Sequence, residues 1–225
     1  MVKTSAGTFY NPASAQVRQL IIDGVVEIVT NYDVDGIHFD DYFYPTTETS
    51  FDSSFYQSSG SGMSLADWRR ENVNKLIRGV YSAIKSVDSS LTFGVSPAGN
   101  LDNNYNLLYV DAAKWLSSSG YVDYIMPQVY FGYENATCPY AETVEAWDDL
   151  ITNDRIKLYV GLAVYKVGAV TAVWNSASIL ARQLETARDA GHYGGVALYR
   201  HDFLFQPSYQ NSYLSAALDQ LQQLT

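Results

Sequence analysis

The residues best suited to chemistry sit in the run Ile37-His38-Phe39-Asp40-Asp41-Tyr42. Side chains alternate across a strand, so an extended run puts Ile37 and Phe39 on one apolar face and Gly36, His38, Asp40 and Tyr42 on the other. A carboxylate aimed into a semi-enclosed crevice carries a desolvation cost unless it is paired or used as acid, base or nucleophile. Asp40 is therefore the leading catalytic candidate, with a structural salt bridge as the competing reading. His38, deeper on the same face, reads as an orienting hydrogen-bond partner. Asp41 has the opposite parity: it either turns into the mouth where the strand ends or caps a neighbouring backbone.

Carboxylate chemistry of the glycoside-hydrolysing kind uses two carboxyl groups, about 5 to 5.5 Å apart for retention and farther apart for inversion. Glu134, four residues past Tyr130, is the best second carboxylate by position, because loops after barrel strands surround the mouth; an exposed loop acid is the competing reading. Asp202, in the run YRHDF, is the alternative. Gln128, Tyr130, Tyr165 and Arg200 would supply hydrogen bonds to hydroxyl groups and aromatic stacking. A metal site built from His38, Asp40, His201 and Asp202 is disfavoured, since no HxH or HExxH spacing occurs, and no cofactor is expected. GSGMS and GHYGG fit neither phosphate-loop pattern. Asn135-Ala136-Thr137 matches a glycosylation sequon, a pattern common by chance.

These residues need strands to hold them. Five runs read as strands: Asp35 to Tyr42, Leu91 to Ser96, Val122 to Tyr130, Ile156 to Tyr165 and Gly195 to Arg200. Helical patterns lie between them, the arrangement that enforces parallel crossovers. The last inward positions are then Asp40, Ser96, Tyr130, Tyr165 and Tyr199, a polar and aromatic set at the ends where α/β folds bind ligands. The first helix is signalled by Asn11-Pro12 and carries Val17, Leu20, Ile21, Val25 and Ile28 at helical spacing. A second starts near Ser64 with Asp67 three residues on, a variant capping box. Shorter helices are expected near 108–118, 142–152, 176–190 and 211–223, with Gly191 stopping the third of these. The stretch Phe43 to Met63, rich in Ser, Thr and Gly, reads as a long loop covering a substrate.

Length and charge narrow the classes. The 225 residues, 47% of them hydrophobic, suffice for one domain spanning 1–225 with a substantial core. Fourteen Lys and Arg against 24 Asp and Glu give a net charge of -10, which repels nucleic acid and anionic membranes. The single cysteine, Cys138, excludes an intrachain disulfide, a Cys-based zinc cluster and a CxxC pair. No apolar stretch has the roughly 20 residues a membrane span needs, and MVKTSAGTFY lacks the basic-then-apolar design of an export signal. Nineteen Tyr and four Trp suit flat hydroxylated ligands, although Tyr also favours strands.

The run Val34 to Pro45, VDGIHFDDYFYP, resembles the signature of the glycosyl-hydrolase-like family 10 proteins. NPASAQVRQLIIDGVVEIV, FGVSPAGN, YIMPQVYFGYENATCPY and LYVGLAVYKVG support the resemblance in the family's order. It implies an α/β fold of (β/α)8 TIM-barrel type, acting on bacterial cell-wall or related glycans such as peptidoglycan, exported or at the cell surface. On matching positions His38, Asp40, Asp41, Tyr42, Gln128 and Tyr130 would line the cleft. Family barrels begin with three further strands, so an incomplete barrel of about five parallel strands, equivalent to strands 4–8, is expected. The Asp40 strand would then be a sheet edge open to self-association or to a complementing amino-terminal half. Asp40 and Glu134 acting as a glycosidase is the leading reading. A catalytically silent glycan-binding module or inactive truncated barrel, and a metal-dependent hydrolase or deacetylase, are the alternatives.

Overall fold

A computed structural model describes every residue except Ala6, Asp41, Val170 and Thr225, and of Pro207 its backbone alone. The chain divides into two compact units, Met1–Ile125 and Met126–Thr225.

The first unit opens with an antiparallel hairpin, β1 (Val2–Thr4) and β2 (Gly7–Phe9), too short for periodicity to reveal. Helix α1 (Ala15–Asn31) follows. It does not start at the expected Asn11-Pro12. The Asn11 side chain accepts from Ala13 N–H at 2.9 Å and makes a turn, and Ser14 caps the helix by accepting from Val17 N–H at 3.4 Å. Its buried stripe is Val25 and Val29, whereas Leu20 and Ile28 are exposed. Helix α3 (Leu65–Val87) begins as its capping box requires: Ser64 Oγ accepts from Asp67 N–H at 3.1 Å and donates to the Asp67 carboxylate at 2.6 Å. Its face of Val73, Leu76, Ile77, Val80 and Ile84 is buried. Gly79 lets α1 lie close, since a Cβ there would come within 2.8 Å of Ile22 Cδ1.

Strands β3 (Gly36–Asp40), β4 (Thr92–Ser96) and β5 (Tyr124–Ile125) pair in parallel, with His38 opposite Gly94 and Gly94 opposite Tyr124. Asp40 stands opposite Ser96. Among the described residues of this unit, β3 has β4 as its one strand neighbour. The expected third strand, Val122 to Tyr130, shrinks to two residues. Proline at 127 has no N–H to donate, and beyond it Val129 N–H and Tyr130 N–H turn back to Pro127 O and Gln128 O at 3.0 and 2.8 Å.

The stretch Phe43 to Met63 holds structure of its own: a 3-10 turn at Thr49–Phe51 and helix α2 (Ser53–Ser58). Its anchor is Arg69 on α3, whose guanidinium donates to both Asp52 oxygens at 2.7 and 2.9 Å, with both side chains wholly buried. Further bonds run from Arg69 to Thr47 O, Glu48 O and the Tyr109 hydroxyl at 3.1, 2.7 and 2.8 Å. Helix α5 (Ala112–Ser117) is a shorter form of the helix expected over 108–118, and α4 (Leu101–Asn106) precedes it outside that range.

The second unit packs helices α6 (Tyr140–Asp149), α7 (Ile179–Arg188) and α9 (Ser212–Gln222) with the parallel strands β6 (Lys157–Ala163) and β7 (Tyr193–Tyr199). Short α8 (His201–Phe205) follows β7. In β6, Leu158, Val160 and Leu162 are fully buried, as alternation predicts. That strand ends at Ala163 rather than Tyr165, because Val164–Lys166 close into a 3-10 turn. Asp148 ties α6 to the start of β7 by accepting from Gly191 N–H, His192 N–H and His192 Nδ1 at 2.8, 2.9 and 2.8 Å. Burial by itself would raise the Asp148 pKa, yet these bonds hold it below the ordinary carboxylate value. Among the described residues, no helix is long and apolar enough to cross a membrane.

Candidate functional site

In the first unit the candidate residues occupy one face of three adjacent strands. Asp40 is the last residue of β3 and is exposed, not held in the semi-enclosed crevice expected of it, so desolvation does not single it out. Two residues back on the same face, His38 Nδ1 lies 3.0 Å from the Tyr124 hydroxyl, and the two rings stack at 5.8 Å with an 8° interplanar angle. Glycine at 94 makes this possible, because a Cβ there would fall inside the Tyr124 ring. The opposite face holds Phe39 edge-on to buried Phe93 at 5.2 Å. Alternation thus separates Phe39 from His38 and Asp40 as the sequence implies.

His38 is exposed on one side, the partial burial of its ring lowers its pKa, and the Asp40 carboxylate opposes that shift. The two groups therefore sit within electrostatic reach of each other. Tyr42, two residues past Asp40, is 47% exposed. Asp41 lies outside the described residues. Ser96 at the end of β4 is buried.

In the second unit three rings meet. Tyr130 stacks on Tyr199 at 5.5 Å, and Tyr165 is edge-on to both at 5.9 Å. Phe203 extends the cluster from Tyr165 at 6.3 Å. Tyr130 lies past β5 and Tyr165 past β6, so two of the three rings stand on turns, not on the strand ends expected of them. Lys166, which alternation could not single out, holds the arrangement by donating from Nζ to Tyr130 O at 2.6 Å. Its ammonium also lies over the Tyr165 and Trp174 rings at 5.7 and 5.5 Å. Burial depresses its pKa and raises that of Tyr165.

Gln128 is half-buried in the segment after β5, and Glu134 is exposed in the loop before α6. The neighbouring Asn135 side chain accepts from Thr137 N–H and Cys138 N–H at 3.0 and 2.8 Å, which shapes that loop. Arg200, just past β7, pairs with Asp202 at 3.2 Å and lies over Phe203 at 5.7 Å. Asp202 also accepts from Gln206 at 3.2 Å, so this acid is committed to local partners. Among the described residues no group of three or more His, Cys, Asp or Glu side chains is placed to hold a metal ion.

The glycosyl hydrolase-like 10 model matches residues 1–176. Glycosyl hydrolase DigH of Escherichia coli (strain K12) is 33% identical over 241 residues, spanning 96% of this chain and 55% of that protein. Glycosyl hydrolase YngK of Bacillus subtilis (strain 168) is 31% identical over 212 residues, spanning 82% and 41%. The chain thus spans about half the length of these curated relatives. Among solved structures, the PgaB (BpsB) glycoside hydrolase domain from Bordetella bronchiseptica aligns over 90% of this chain and 62% of its own, with a TM-score of 0.56 and 14% identity. The Bacillus megaterium QM B1551 spore cortex-lytic enzyme SleL aligns over 96% and 56%, with a TM-score of 0.57 and 12% identity. At such identities these two show the fold alone, an α/β fold of (β/α)8-barrel type present here as an incomplete barrel with five parallel strands. By its sequence, the chain belongs to the glycosyl hydrolase-like 10 family.

Proposed function

We propose that this chain carries the catalytic carboxylate of a glycoside hydrolase acting on a bacterial cell-wall glycan or a related polysaccharide. Asp40 serves as nucleophile or general acid/base, and Glu134 supplies the second carboxyl group that glycoside cleavage uses. The observation that carries the reading is the placement of Asp40: an exposed carboxylate at the carboxyl end of a parallel strand, electrostatically coupled to His38. Family membership and relatives named glycosyl hydrolase support the reaction class.

The remaining residues fit binding roles. Rings at Tyr130 and Tyr165 offer flat faces to sugar C–H groups, while Tyr42, Gln128 and Arg200 supply hydrogen bonds to hydroxyls. His38 orients the Asp40 side of the site, and Asp41 joins it as a binding residue. A glycan substrate places the working protein outside the cell or on its surface. Among the described residues β3 pairs with β4 alone, and its other edge offers main-chain pairing positions to a further strand, from a second copy or from an amino-terminal half.

A second reading, glycan binding without cleavage, draws on the Tyr130, Tyr165 and Tyr199 ring cluster and on the pairing of Asp202 with Arg200. The test is incubation of this chain, and of a version extended upstream, with peptide-free peptidoglycan strands while product masses are followed. Release of shortened glycans by either version supports hydrolysis. Binding by both without release supports the second reading.

A further inference from the structure

The first unit contains a concavity in which Tyr42 is the one residue already given a role above. Phe9 of β2, Tyr42, Phe43, Tyr44, Pro45 and Leu108 line an open pocket of about 300 Å³. That volume is at the small end of the range typical of ligand pockets, about 300–1,000 Å³, and suits one compact group rather than a chain. Its lining is aromatic and aliphatic, with no charged side chain among these six residues.

The walls are built under strain. Phe43 and Tyr109, the latter next to Leu108, hold φ of 63° and 57°, a region bulky residues rarely adopt. Strain of this kind persists where surrounding contacts over-determine the conformation, and it concentrates at ligand sites. The contacts are specific. Phe43 lies edge-on to Trp115 at 5.8 Å, and Tyr44 lies edge-on to Tyr109 at 5.1 Å. Arg69 sits over the rings of Tyr44 and Tyr109 at 5.3 and 4.9 Å while bonding to Thr47 O and the Tyr109 hydroxyl. One buried guanidinium thus fastens both the wall that follows β3 and the wall containing Leu108, and the pocket is preformed.

The chemistry of the lining selects the occupant. Without a charge or a row of donors, the pocket does not suit a phosphate, a carboxylate or a cation. Flat aromatic walls with one partly exposed phenol, Tyr42, suit the C–H face of a sugar ring, with a hydroxyl at the lip for orientation. Tyr42 is two residues from Asp40, so backbone of at most about 7 Å separates the lip from the catalytic candidate. We propose that this pocket is a flanking sugar subsite, stacking one pyranose ring of the same glycan whose linkage is presented to Asp40. This rests on the hydrolase reading above.

Peptide-free peptidoglycan fragments of two to eight sugar units are the probes, titrated calorimetrically into the wild type, Leu108→Arg and Phe9→Ala, with circular dichroism checking each fold. In the wild type, affinity rises by about tenfold at the fragment length that first reaches the pocket. Both variants lose that step and bind shorter fragments normally. Fragments that bind with an undiminished step in both folded variants overturn the subsite and leave the hydrolase reading intact. Binding of decanoate, sensitive to Leu108→Arg, with no length step for the glycan, overturns it in favour of an acyl pocket. Failure of every fragment to bind, with no cleavage of intact strands, overturns both readings together.

Discussion

His38 Nδ1 stands 3.0 Å from the Tyr124 hydroxyl with the two rings stacked, across Gly94, which leaves the intervening strand without a side chain at that position. The contact fixes the imidazole on the face that carries Asp40. Its depressed pKa comes first from burial, and the Asp40 carboxylate pulls in the opposite direction.

The sign of the charge coupling is therefore testable. Removing the Asp40 charge in Asp40→Asn lowers the His38 pKa further, as read from the imidazole resonances in an NMR titration. An unchanged or raised pKa would show that the two groups are not coupled. Because the folded value lies below the unfolded one, near 6.5, the His38 contribution to stability is complete above that pH. It is lost as pH falls through the folded value.

Gly94→Ala drives a methyl group into the Tyr124 ring and costs about 1–3 kcal/mol, measured by urea unfolding. The same variant displaces Tyr124 from His38, so the His38 resonances shift even where the protein stays folded.

Arg69→Met leaves Asp52 buried without its partner. The expected loss is about 3–5 kcal/mol in urea unfolding, whereas the double variant Arg69→Met/Asp52→Leu loses less than Arg69→Met alone. A double variant as unstable as the sum of the singles would show that the pair is not coupled.

Lys166→Met removes the donor to Tyr130 O and costs about 1.5 kcal/mol. On the hydrolase reading it raises KM more than it lowers kcat, since the rings it positions bind the sugar and do not react. A fall in kcat alone would place Lys166 nearer the chemistry than the geometry does.

Much of this was legible in the residues. Alternation in Gly36–Asp40 is a two-residue repeat, and it separated half-buried Ile37 and Phe39 from exposed His38 and Asp40. In Lys157–Ala163 it marked Leu158, Val160 and Leu162 as buried, though Gly161 and Ala163 on the other face are buried too. The capping box at Ser64 is equally local. What escaped depends on partners distant in sequence or on competition between neighbours. Asp52 and Arg69 lie 17 residues apart, so the order they impose on the stretch after β3 has no periodic signature. Ser14 displaced Asn11 as the cap of α1 because Asn11 was already closing a turn. Pro127 ended a strand that hydrophobicity alone would have extended to Tyr130. Lys166 escaped because its role depends on one carbonyl, that of Tyr130.

The central claim is that the carboxylate of Asp40 performs chemistry rather than supporting the fold. Release of glycan fragments from peptide-free peptidoglycan, followed by mass spectrometry for the upstream-extended protein and its Asp40→Asn variant, addresses this most directly. The account predicts a rate lower by about 10²–10⁴-fold in the variant, with urea unfolding unchanged. Equal rates from the two folded proteins would contradict it.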